Sequence, residues 1–378
     1  MTQTPVPPVP PAPGAAPRHR SPLLARPGAV EAEGADAGVA WHYGDPVREQ
    51  RMLEQGLAVV DLSCRGVLRV SGPDRLSWLD SLTSQRLVGL PPRTSTESLV
   101  LSPEGRIEHD LHLVDDGTAT HVVLEAGEVE AARAWLDGMR FMLRVEVEDV
   151  TDALAVVGEP VGRESVDGEP LAWVDPWPGT GPASARYAPV DDDAHPGAER
   201  RWREVLVPRG ELEAFVDDRP LAGTWAAEAL RVAAWRPRLG FETDERTIPH
   251  ELDWLRTAVH LAKGCYRGQE TVAKVHNLGR PPRRLVALHL DGTGAGLPEA
   301  GAEVTDATTG RVVGRVTSAA RHHELGPVAL AVVKRTTPVD APLFAGGVAA
   351  AQETVVDPEA GGQAASRPAA VVPRLPRP

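Results

Sequence analysis

The stretch Lys263-Gly264-Cys265-Tyr266-Arg267-Gly268-Gln269-Glu270 gathers side chains that are scarce elsewhere in the chain. Of 40 basic residues only Lys263, Lys274 and Lys334 are lysines; Asn277 is the sole asparagine, Tyr266 is one of three tyrosines, and Cys265 and Cys64 are the two cysteines. Lysine and arginine differ in hydration and in how readily their pKa shifts, so the lysines kept beside Cys265 mark positions where the chemistry needs an ammonium. Gly264 and Gly268 bracket the cysteine and let the backbone turn tightly or admit a ligand closely. Good helix formers follow from Gln269 to Lys274, which places Cys265 just before a helix N-terminus with Lys263 two residues away. Both features favour the thiolate, the form that attacks electrophiles and binds soft metals. Cys265 and Lys263 are therefore the candidate catalytic pair, and the competing reading is a buried, inert thiol.

A second candidate group lies on a predicted strand, Arg106-Ile107-Glu108-His109-Asp110-Leu111-His112. Period two puts Glu108, Asp110 and His112 on one face and Ile107, His109 and Leu111 on the other. A carboxylate at Asp110 has the chemistry of a general base or of an acceptor for a ring N–H; a solvated strand face has the same pattern. No metal site is expected, because alternation alone produces such a polar face and the two cysteines show no zinc-type spacing. Cys64 is expected in the core near a strand, and His322-His323 in a surface loop.

These residues need a scaffold of two or three domains, which 378 residues supply. With 42% hydrophobic and 25% charged residues the composition is that of a globular protein. No apolar run reaches the ~20 residues of a membrane span and no signal peptide is evident, so no membrane partner and cytoplasmic residence are expected. A net charge of −13 argues against stable nucleic-acid binding, which relies on neutralising phosphates. The segments read as a disordered Pro/Ala/Gly-rich leader at 1–38, an N-terminal α+β domain at 39–156, and a central α+β domain at 157–282 that carries the Cys265 motif. A small C-terminal β-barrel at 283–350 and a disordered tail at 351–378 follow. Asp45, Pro46 and Gly56 predict a capped helix between them. Residues 157–202, rich in Gly, Pro and Asp, read as a long surface insertion.

The motif Lys263-Gly264-Cys265-Tyr266-x-Gly268-Gln269-Glu270 resembles the signature of the YgfZ family, distant relatives of the glycine-cleavage T protein, with Arg267 at the variable position. Supporting similarity comes from Ser71-Gly72-Pro73-Asp74 ahead of a helix and from Leu230-Arg231 leading to Gly240. It continues through Thr247-Ile248-Pro249-His250-Glu251, where an isoleucine is inserted, and Gly314-Arg315-Val316-Thr317-Ser318. The resemblance covers roughly residues 40–345. It implies an α+β, T-protein-like three-domain fold with a tetrahydrofolate or one-carbon derivative in a central channel. Asp110 matches one acidic position of the T protein's Gly-Gly-x-x-Asp-Asp stretch, with His109 at the other, and Asp110, Arg231 and Glu251 are the implied folate contacts. The implied role is that of a folate-binding accessory protein in iron–sulfur cluster assembly or repair, with iron–sulfur client enzymes as partners and an indirect effect on tRNA modification. The alternative is an aminomethyltransferase acting on a tetrahydrofolate-linked one-carbon unit, so a transferase-like reaction stays open. The T protein's Arg-Thr-Gly-Tyr-Thr-Gly-Glu stretch has no counterpart here, which favours the accessory role. No Gly-x-Gly-x-x-Gly follows a strand, which argues against the dinucleotide-binding demethylating oxidases.

Overall fold

The structure, a computed structural model, describes residues 17–293 and 296–362. An antiparallel five-stranded sheet runs in the order Ser95–Leu101, Ile107–Asp115, Ala119–Leu124, Gly66–Ser71, Glu146–Asp149. Helices Arg75–Leu82 and Val129–Gly138 cover one face of it, where Trp78, Leu79, Ala132 and Leu136 pack on Leu111, Leu113 and Val122. Full burial of one such aliphatic side chain is worth roughly 1.5–3 kcal/mol. Because side chains alternate, Asp110 and His112 point to the opposite face, into the middle of the protein.

That middle is built by a second sheet, ordered Ala172–Val174, Arg203–Pro208, Leu154–Glu159, Val59–Asp61, Leu221–Ala222. Strand Leu154–Glu159 pairs with both Val59–Asp61 and Arg203–Pro208. The boundary expected at 156/157 therefore falls inside a strand, and the N-terminal and central segments share one sheet. Among the described residues the C-terminal unit is a closed barrel of six strands, Arg283–Leu290, Gly326–Lys334, Val312–His322, Glu303–Asp306, Leu343–Ala345 and Val348–Thr354. The α+β architecture with a terminal barrel is as the sequence predicts. So is helix Pro46–Glu54: Asp45 accepts from the Arg48 amide at 3.0 Å, Pro46 opens the helix, and Gly56 leaves it at φ 79°.

Three expectations need correction. The leader is ordered from residue 17 onward: Leu23 is fully buried, Val30–Glu31 pairs with Ala40–His42, and Asp36 binds Arg238 at 2.7 Å. One anchored leucine and one buried ion pair fix a segment whose average composition reads as disorder. The tail is ordered to residue 362, because Val348–Thr354 closes the barrel on Arg283–Leu290 and Val355 and Val356 are buried. Residues 1–16 and 363–378, the remainder of the expected leader and tail, lie outside the described residues. The insertion at 157–202 is no surface loop either. Trp173, Trp177, Tyr187 and Trp202 are buried and fasten it into the core, so the Gly and Pro between them serve tight turns.

Candidate functional site

The Cys265 segment is a loop pressed against the tip of the Ser95–Leu101/Ile107–Asp115 hairpin. Gly268 has φ +83°, and a Cβ there would stand 2.6 Å from the Ser102 carbonyl oxygen and 3.1 Å from Gly105 Cα. Only glycine tolerates both the left-handed backbone and that approach. Helix Gln269–Leu278 starts directly after it. The Gln269 side chain turns back and donates to the carbonyls of Lys263 and Gly264, each at 3.3 Å, closing the loop. Tyr266 is buried in the main core, whereas Cys265 is exposed, with Gly264 and Glu270 exposed beside it. This exposure sets aside the competing reading of Cys265 as a buried thiol.

Lys263 does not serve the thiol. Its ammonium is buried and donates to the carbonyls of Asp80, Thr83 (2.7 Å) and Gln85 (2.9 Å), which lie at and beyond the end of helix Arg75–Leu82. An ammonium has three N–H donors, so this use leaves none for Cys265. Burial pushes the Lys263 pKa down. Lys263 is a clamp between the loop and a helix C-terminus, where a cation suits the exposed carbonyls, and its assignment to a catalytic pair is corrected.

The loop is tied to the strand that bears Asp110. Arg267 Nη1 donates to Glu108 Oε2 at 2.6 Å, and Glu108, Asp110 and His112 follow one another along one face of Ile107–Asp115. Asp110 and His112 border a cavity of about 50 Å³ between the two sheets. Its wall is a ring of ion pairs: Arg65 with Glu204, Arg236 with Asp175 (3.2 Å), and Arg238 with Glu125 (2.8 Å) and Asp36. One Asp110 carboxylate oxygen has no hydrogen-bond partner although the residue is buried, and the other lies 3.3 Å from His112 Nε2. His112 Nδ1 is 2.9 Å from Glu204, and its ring stacks on Trp173 at 3.6 Å and 6°. Burial alone would push this imidazole down; the carboxylates of Glu204 and Asp110 outweigh it and pull its pKa up to about 10. Glu204 is held at about 2 by Arg65 and His112 against its own burial.

Of the three expected folate contacts the structure brings two to this cavity. Arg231 borders it, yet its N–H groups go to Glu228, Glu242, Ser318 and the Arg236 carbonyl, so it braces the wall. Glu251 stands apart, fully buried under the barrel, where Arg283 grips its carboxylate at 2.8 and 3.0 Å. Its expected place with Asp110 is corrected, because the first barrel strand supplies it with a partner of its own. About 50 Å³ holds water or an ion, so a pterin ring enters only if part of the ion-paired wall swings aside.

Sequence reasoning missed His112 as a cavity group and missed Arg65, Glu97, Glu125, Asp175, Arg200, Glu204 and Arg236 altogether. Most of their partners are far apart in sequence, and among 37 arginines none stood out. The available signal was Glu204, a charged residue at the start of the apolar strand Arg203–Pro208 and two residues after Trp202. A larger cavity of about 290 Å³ lies elsewhere, between residues 17–19 and the turn at Ser63 and Cys64. Burial pushes the Cys64 thiol well up, consistent with an unreactive residue.

Comparison with known proteins gives two domain matches: the GCVT N-terminal domain over residues 24–158 and the glycine cleavage T-protein C-terminal barrel domain over residues 283–375. A putative chloroplastic transferase of Arabidopsis thaliana is 27% identical over 75% of this chain, which spans 66% of that relative's length. An aminomethyltransferase of Moorella thermoacetica is 26% identical over 78% of this chain and 83% of its own. The crystal structure of the glycine cleavage system aminomethyltransferase T from Bartonella henselae superposes with a TM-score of 0.69 at 19% identity, covering 89% of this chain and 95% of that one. At that identity the superposition establishes the fold. No helix among the described residues is long and apolar enough to cross a membrane.

Proposed function

We propose, from the premise that this chain belongs to the glycine-cleavage T-protein-like family, that it is a folate-binding accessory protein for iron–sulfur enzymes. In this reading a reduced folate sits over Asp110 and Cys265 meets the client. The observation that carries the reading is the joint placement of an exposed thiol and a buried, part-unpartnered carboxylate, linked through one strand face by Arg267 and Glu108. Asp110 would accept an N–H of the pterin or take a proton from the folate's reacting nitrogen. The exposed thiol would bind iron transiently as its thiolate, releasing its proton, or attack a client's disulfide with the client's thiolate as leaving group, since access is the first requirement for such chemistry. Effects on tRNA modification would follow through iron–sulfur enzymes that perform it.

The second reading is aminomethyl transfer to tetrahydrofolate, favoured by the named activity of the bacterial relatives and by the unpartnered Asp110 oxygen. In that case Asp110 is essential and Cys265 dispensable. Cells lacking this chain, restored with wild type, Cys265→Ala or Asp110→Asn, separate the two. The accessory role predicts that iron–sulfur enzyme activities fall in the deletion and return with wild type but not with Cys265→Ala. Full restoration by Cys265→Ala would overturn that role.

A further inference from the structure

At the wall of the Asp110 cavity three side chains, Glu97, Asp110 and His112, converge. Glu97 lies directly opposite His112 across the antiparallel pair of strands Ser95–Leu101 and Ile107–Asp115, and Asp110 is two residues from His112 on the same face. Cross-strand partners of this kind hold their side chains in contact. Each of the three offers a ligand atom, all within 4.8 Å of one another. Glu97 is fully buried: one of its oxygens accepts from Arg236 (2.5 Å) and Trp254 (2.9 Å), and the other has no partner. One Asp110 oxygen is also unpartnered in a residue more than nine-tenths buried. Two orphaned carboxylate oxygens in one buried spot are rare and call for an unseen partner.

We propose that Glu97, Asp110 and His112 form a binding site for a divalent first-row transition ion, with its open coordination positions facing the cavity. The donor set of one imidazole and two carboxylates suits zinc, manganese or ferrous iron and disfavours cuprous copper, which seeks sulfur. His112 is oriented as a ligand. Nδ1–H faces Glu204 at 2.9 Å, so Nε2 is the nitrogen that faces Asp110 and takes the ion, which displaces its proton on binding, and Trp173 fixes the ring plane. This carboxylate–histidine relay is how metal-bound histidines are usually set. The 3.3 Å between Nε2 and Asp110 Oδ2 is long for an ion-paired hydrogen bond. It matches the spacing of two neighbouring ligands that each stand about 2.1 Å from one ion. Charge agrees as well. Six carboxylates and five guanidinium groups border the cavity, and Glu97 makes a seventh carboxylate, so negative charge is in excess even with His112 protonated.

A second cluster, Glu54 with His322 and His323, lacks this build. His322 Nδ1 accepts from the amides of Glu324 and Leu325 at 3.2 Å each, and Glu54 is exposed. It serves as the control. The inference shares Asp110 with the folate reading, but its test follows the ion alone, in the absence of folate.

Untagged full-length protein, stripped with chelator and titrated calorimetrically with Zn²⁺ and separately with Mn²⁺, tests it. One ion per chain is expected, with a melting temperature that rises on binding. Affinity should fall by about 10–100-fold in Glu204→Gln, which removes the relay together with the ion pair to Arg65 while leaving all three ligands, and by more in His112→Gln. His323→Ala should bind as wild type. Circular dichroism verifies that each variant is folded; should His112→Gln fail to fold, Glu204→Gln and His323→Ala decide by themselves. Absence of saturable binding of both ions below 1 mM (roughly −4 kcal/mol), or binding lost in His323→Ala and kept in Glu204→Gln, overturns the proposal.

Discussion

Arg267 and Glu108 join the exposed Cys265 loop to the strand that carries Asp110, through an ion pair of 2.6 Å between Nη1 and Oε2. The pair is partly exposed and contributes about 0–1 kcal/mol to stability, so its value lies in position. Arg267→Ala should leave the melting temperature within about 3 °C of wild type. It should raise amide exchange across 263–269 and speed alkylation of Cys265 severalfold. Unchanged exchange in that loop would show that the Gly268 contact holds it alone.

Lys263 and Cys265 should behave oppositely under substitution. Lys263→Met strands the carbonyls of Asp80, Thr83 and Gln85 in a buried place, with an expected loss of about 2–4 kcal/mol. Cys265→Ala removes an exposed thiol and should change stability by no more than about 0.5 kcal/mol. Urea melts of both variants check the contrast, and a Lys263→Met protein as stable as wild type would remove the clamp from the account.

Gly268→Ala combines a left-handed backbone with a Cβ 2.6 Å from the Ser102 oxygen. A loss of about 2 kcal/mol or more is expected, since strained φ alone costs about 1 kcal/mol or more. Gly264→Ala, where a Cβ meets nothing within 4 Å, should be nearly neutral. Thermal unfolding of the two proteins side by side decides the matter.

These contrasts show what the sequence carries. The motif's spacing placed a turn and a helix correctly, because Gly268 and the helix formers after it are local signals. The barrel was legible in its short apolar runs. Lys263 was misjudged because nearness along the chain says nothing about where a four-carbon side chain reaches, and its acceptors lie about 180 residues away. Glu251 was misplaced for the same reason, as Arg283 is 32 residues on. Ordered residues 17–38 escaped notice because Leu23 and Asp36 act singly, against a background of Pro, Ala and Gly. The cavity's ion-paired ring has no sequence pattern; it exists only once two sheets face each other.

Acid should unfold the protein through that ring. Glu204 and Glu228 are each held near 2 by arginines, against burial that acts the other way. Their depressed pKa values stabilise the fold fully above the ordinary carboxylate value near 4.5, and that stability is lost as pH falls toward 2. The melting temperature should therefore be flat from about pH 5 to 6 in this respect and drop steeply below 4.5. Glu228→Gln, which removes one of the two, should lower the plateau and lessen the slope. A variant with a slope as steep as wild type would place the acid sensitivity elsewhere.

The central claim is that a reduced folate occupies the site over Asp110. Calorimetric titration with tetrahydrofolate of wild type, Asp110→Asn and Glu251→Gln tests it directly, with circular dichroism to verify that each is folded. The account predicts saturable binding by wild type, at least tenfold weaker binding by Asp110→Asn, and wild-type affinity in folded Glu251→Gln, whose carboxylate belongs to Arg283. No saturable binding by wild type, or equal affinity in wild type and Asp110→Asn, would contradict it.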